Sequence, residues 1–195
     1  MLNRIERAME NMARVMAIIG GTVLTVLVIL ICVSVLGRGL NTLGHAEFMA
    51  EGLGKALIGT GVGPITGDFE LVEAGVAFAI FSFLPVAQLY SSHATVDIFT
   101  SFLSVKANKF IQAFWEVIFA ILMIVITWRL YEGTMNKLDY GETTFMLQFP
   151  IWWAYAASLF ASAIAAITAI YTAFARIAET LTKRHILPYS EGASH

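Results

Sequence analysis

Four runs of apolar residues, Val15 to Leu36, Phe69 to Tyr90, Phe110 to Leu130 and Phe149 to Phe174, decide what this chain can fold into. About 20 apolar residues at 1.5 Å each cover the roughly 30 Å of hydrocarbon in a bilayer, and within it a backbone must satisfy its own hydrogen bonds. The sequence therefore predicts an all-α integral membrane protein of four transmembrane helices. Composition agrees, since 58% of the 195 residues are hydrophobic and 13% are charged, where soluble domains carry about a quarter. A formal net charge of -2 gives no reason to expect nucleic acid as a partner.

The first run follows Arg4, Arg7 and Arg14, as the core of a secretion signal would. Its apolar length exceeds the roughly 7 to 15 residues of such a core, and no small-residue cleavage site follows cleanly, so it reads as a retained helix. The single cysteine, Cys32, lies inside it, which leaves neither a disulfide framework nor a cysteine-based metal site. Orientation follows from the basic residues. Arg4, Arg7, Arg14, Lys106, Lys109, Arg176, Lys183 and Arg184 fall on one side, and Arg38, Lys55, Arg129 and Lys137 on the other. The excess places both termini in the cytoplasm. Trp128, Trp152 and Trp153 read as anchors at the outer interface. Residues 1–182 are expected to form a single four-helix domain, with 183–195 a flexible cytoplasmic tail.

Residues 2 to 16 place Leu2, Ile5, Met9, Met12 and Met16 at spacings of three and four beside a basic face. This pattern predicts an amphipathic cytoplasmic helix lying at the interface before the first span turns inward; a short basic collar that only sets topology is the other reading. The long first outer loop, Arg38 to Asp68, contains a segment, His45 to Ile58, able to form a short helix with Phe48 and Leu53 partly on one side. Pro85 predicts a kink in the second span. In the fourth span small residues recur every fourth position in two rows, Ala154 to Ala166 and Ala157 to Ala173, so that helix is expected to have neighbours on a broad face.

Polar residues cluster at the span ends. Glu70 and Glu73, three apart, lie near one face of the second span, and Arg38 ends the first span on the same side. An ion pair from Arg38 to either carboxylate is the preferred reading; solvated carboxylates at a helix N-terminus, or a part in ion translocation, are the alternatives. His93 and Asp97, four apart, can bond each other at the cytoplasmic end. Twenty residues separate Glu73 from His93, about 30 Å on a straight helix, so the two clusters form separate contacts and not a relay. Glu116, just inside the third span near Lys109, reads as a structural partner more readily than as a transport group. None of the four histidines lies at mid-span, which argues against bis-histidine haem ligation. No hydrolase, P-loop or metalloprotease signature is present, so no enzyme is expected.

Taken in order, Arg38 and Asn41 after the first span, Glu70 and Glu73 opening the second, His93, Val96 and Asp97 after it, and Gly141-Glu142-Thr143-Thr144 with Pro150 before the last resemble the small, DctQ-like membrane subunit of tripartite ATP-independent periplasmic (TRAP) transporters. The chain departs from that pattern where Phe69 and Glu70 replace a Trp before paired glutamates, where Ala94 and Thr95 replace a basic residue, and in its longer outer loop. The resemblance implies a scaffold subunit, paired with a large elevator-type subunit in sodium-coupled uptake of a carboxylate that a periplasmic binding protein delivers. It implies no cofactor in this chain, sodium bound by the partner subunit, and structural phospholipids as an open option. Arg38, Asn41, Glu70, Glu73, His93, Asp97 and Glu116 become interface candidates. Phe48, Leu53, Thr143, Thr144 and Pro150 become docking candidates for the binding protein. A structural anchor for another membrane complex, such as a redox enzyme, and a self-assembling channel are the competing readings.

Overall fold

The computed structural model describes residues 2–45, 63–90 and 105–182, with the isolated positions 52, 54, 59 and 61. Its four helices are α1 (Leu2–Gly44), α2 (Asp68–Leu89), α3 (Val105–Tyr140) and α4 (Trp152–Thr182). Each is long and apolar enough to cross a membrane.

α1 meets α2, α2 meets α4 and α4 meets α3, while α1 touches α4 only lightly. The helices therefore stand in an open row, in the order α1, α2, α4, α3. The small residues of α4 are the reason it can sit inside the row: Ser158, Ala161, Ser162, Ala165, Ala166, Ala169 and Ala173 are all buried, and without bulky side chains two backbones can approach it at once. Half of its apolar stretch is buried, against 17% for α1 and for α3. A central cluster joins Ala165, Ala166, Ala169 and Ala173 to Ala120 and Met123 of α3, with Phe81 and Leu84 of α2 packed against it.

The contact of α1 with α2 is a seam. Every buried position of α1 from Ala13 onward falls on the series Ala13, Met16, Gly20, Val23, Leu27, Leu30, Ser34, Gly37, Asn41, Gly44, alternately three and four apart. That is the 3.5-residue repeat of two helices packed lengthwise. Gly20 and Gly75 allow the approach. A Cβ on Gly20 would lie 2.6 Å from Cβ of Ser82, and one on Gly75 would lie 2.6 Å from Leu27.

Two sequence expectations change here. Residues 2 to 16 are not a separate helix at the interface; they continue into the first span as one 43-residue helix. Nothing between them breaks a helix, and their apolar side finds protein to cover it: Met9 and Ala13 pack with Leu89, Tyr90, Tyr171 and Ala175. The third helix also runs past its apolar run to Tyr140, about 15 Å beyond Leu130. Pro85 lies buried inside α2, which continues through it to Leu89; neighbouring helices tolerate the lost backbone bond in a membrane setting.

Candidate functional site

At one end of the row, α2 begins at Asp68, directly after Gly67, whose φ of 76° suits glycine. Ser34 of α1 reaches this start. Its hydroxyl donates to Asp68 Oδ2 at 2.5 Å and accepts the Ile65 N–H at 3.2 Å. Arg38, one turn further along α1, places Nη2 3.7 Å from the same Asp68 oxygen. The ion pair read from the sequence between Arg38 and Glu70 or Glu73 is thus replaced by one to Asp68, because Asp68 is the first helical residue and stands nearest α1. With 64% of the Arg38 side chain exposed, the pair adds little beside the Ser34 contacts. Asn41 lies half-buried one turn from Gly37 on the same seam.

Glu70 serves a different element. Its Oε1 accepts the Met146 N–H at 2.7 Å and its Oε2 the Leu147 N–H at 3.0 Å. These amides belong to a short hairpin between α3 and α4, in which Thr143 pairs with Pro150, Thr144 N–H bonds Phe149 O at 3.0 Å, and Ile151 N–H bonds Glu142 O at 3.0 Å. Lys137 of α3 closes its base through Glu142. A carboxylate receiving two backbone N–H groups fixes the loop by charge-assisted bonds. Glu70 is buried, whereas Glu73 is exposed and has no ion pair or hydrogen bond among the described residues.

Glu73 instead lines a cleft of about 520 Å³ at this end, with α2 on one side, Leu130 of α3 on the other, Ala154, Tyr155 and Ser158 of α4 along it, and hairpin residues Thr143 to Ile151 over it. Gly133 lets the Tyr155 ring lie 3.2 Å from where its Cβ would be.

At the opposite end a second clasp joins three helices. Gln88 of α2, 1% exposed, donates through Nε2 to Glu116 Oε2 of α3 and, at 3.2 Å, to Thr172 Oγ1 of α4. The Thr172 hydroxyl donates to Ala169 O at 3.0 Å. Glu116 therefore ties helices together through Gln88 and Thr172; the Lys109 side chain, its neighbour in the sequence reading, lies outside what the structure describes. Arg176, one turn beyond Thr172, pairs with Glu179 at 3.1 Å. Nearby, the Tyr90 hydroxyl donates to Glu10 at 3.1 Å, and Arg14 pairs with the same carboxylate at 3.0 Å.

The three tryptophans do not share one level. Thr127 bonds Ser162 O across the α3 to α4 contact, which sets Trp128 near residue 161, about 13 Å along α4 from Trp152. They cannot all mark the same interface, since α3 rises twelve residues beyond Trp128. Trp152 and Trp153 do stack edge to face, 6.1 Å apart.

His93, Asp97, Phe48 and Leu53 lie outside the described residues. Ser34, Asp68, Gln88, Thr172 and the Glu10 to Tyr90 pair were not singled out in the sequence. A polar residue at a seam position, such as Ser34, or a lone amide in an apolar run, such as Gln88, was the available signal. Among the described residues no group of three or more His, Cys, Asp or Glu is placed to hold a metal ion. These groups tie elements together, and the arrangement offers binding surfaces.

The family model for tripartite ATP-independent periplasmic transporters, DctQ component, matches residues 27–179, from the middle of α1 to the last turn of α4. No curated protein and no solved structure matches the chain.

Proposed function

The chain belongs to the DctQ component family of tripartite ATP-independent periplasmic transporters, and from that membership we propose that it is the stationary scaffold against which a larger membrane subunit moves its cargo. Membership makes it a small multi-pass membrane component and not an enzyme, and implies partner subunits with a periplasmic binding protein. It also removes the reading as an anchor for a redox complex. The observation that carries the scaffold reading is the division of α1: Gly20, Ser34 and Gly37 are buried on its seam with α2, while Ile18, Val26, Ile29, Val33 and Leu36 stand exposed on another side. Such a surface needs lipid or protein against it.

In this proposal the hairpin end faces the periplasm and both termini the cytoplasm of the inner membrane. The large subunit binds sodium and a carboxylate substrate. Arg38, Asn41, Glu70, Glu116, His93 and Asp97 keep the scaffold's elements in register at its two faces. The hairpin with Thr143, Thr144 and Pro150, and the Phe48 to Leu53 segment, meet the binding protein.

Uptake of a carboxylate by proteoliposomes with the binding protein supplied outside tests the reading. Uptake is expected only when this chain is reconstituted with the large subunit, and cross-links from the exposed side of α1 to that subunit are expected to persist whichever way it faces. Ion conductance by this chain alone would overturn it.

A further inference from the structure

The cleft beneath the hairpin is open at its side and covered at both ends along the helices. Across its outer end lie hairpin residues from Thr143 to Ile151, held down by the two N–H bonds to Glu70. Toward mid-membrane α2, α3 and α4 close together, where Phe81 and Leu84 pack on the alanine cluster, and beyond that Gln88 bonds Glu116. The lining on α2 extends from Phe69 to Phe81, about 18 Å. One leaflet contributes about 15 Å of hydrocarbon.

An occupant of this space must be slender, apolar and able to end at mid-bilayer. A spanning helix, about 10 Å wide, would collide with the hairpin above and with the packing of α2 on α3 and α4 below. An acyl chain meets all three requirements.

The charge at the cleft then selects the headgroup. Both oxygens of Glu70 are taken by backbone amides, whereas Glu73 is exposed and unpaired among the described residues. Two carboxylates on one wall repel an anionic headgroup and attract an ammonium. We propose that the cleft holds one acyl chain of an ammonium-bearing phospholipid, a phosphatidylethanolamine, with its headgroup paired to Glu73. The lipid becomes part of the packing between α2 and α3, which the row of helices otherwise leaves apart at this end.

The test uses the complete transporter in vesicles of phosphatidylethanolamine and phosphatidylglycerol, each lipid supplied in turn with a photoactivatable acyl chain, and maps the labelled residues. The ethanolamine probe is expected to label the cleft walls at Ala77 and Phe81 about three- to fivefold more than the glycerol probe, the selectivity of one partly exposed ion pair. Glu73→Gln should erase that preference while leaving labelling by both probes. Ala77→Phe, which fills the groove, should remove labelling of Phe81 by either. Equal labelling by the two probes in the unaltered chain overturns the headgroup assignment without needing any variant. Cross-links showing a segment of a partner subunit in the cleft overturn the lipid altogether.

Discussion

Glu70 and Glu73 are three residues apart on one helix and have unlike fates. Glu70 is turned to the hairpin and buried there, while Glu73 stays exposed at the cleft. The spacing showed that both lie near one side of α2, yet not that a loop 76 residues further on would bring two N–H groups to one of them. Contacts from a carboxylate to backbone amides carry no mark in the sequence, since any residue can supply the amide. For the same reason Arg38 was paired with the nearest helical carboxylates in the pattern, when Asp68, read as the end of a loop, is the first residue of α2. Replacing Glu70 with glutamine leaves one acceptor for two donors and sets an amide NH₂ against an N–H. Amide hydrogen exchange at Met146 and Leu147 is expected to quicken about tenfold, with little change at Ala161 or Ala165.

At the scale of elements, helix existence was legible and helix length was not. Hydropathy marks the part of a helix that suits hydrocarbon, and it falls silent where α1 and α3 continue into polar surroundings held by tertiary contacts such as Met9 on Leu89. The clasp of α2, α3 and α4 makes a prediction at this scale. Gln88→Leu leaves the Glu116 carboxylate without its amide donor and should destabilise the helix packing by about 1–2 kcal/mol, the upper range of hydrogen bonds between membrane helices. The double variant Gln88→Leu, Glu116→Leu should lose less than the sum of the single changes, as a double-mutant cycle in detergent can measure. The seam supplies another. Gly20→Val sets a branched side chain into the Ser82 contact and is expected to cost about 1–3 kcal/mol, while the same change at Gly39, with nothing within 4 Å of its Cβ position, should cost less by the same unfolding measurement.

For the whole molecule, four spans in a chain of this size suggest a closed bundle, but the helices form an open row. The small residues of α4 foretold a helix with several neighbours; their pairing with α2 on one side and α3 on the other is a property of the assembled chain. Cysteine pairs distinguish row from bundle. Leu27→Cys with Gly75→Cys should oxidise to a disulfide across the α1 to α2 seam, and Leu30→Cys with Met123→Cys, on helices at opposite ends of the row, should not. Gel mobility after mild oxidation reads both.

The ties of α1 have a consequence for motion. Glu10, bonded by Tyr90, and Ser34, bonded to Asp68, are 24 residues apart on one unbroken helix, about 36 Å. Hydrocarbon spans about 30 Å. Set across a bilayer, polar fastenings at that spacing would sit near its two faces like the flanges of a spool, and a vertical slip of one turn would draw one of them deeper into oil. A chain so fastened would resist bobbing along the membrane normal, as its seam resists sliding past α2.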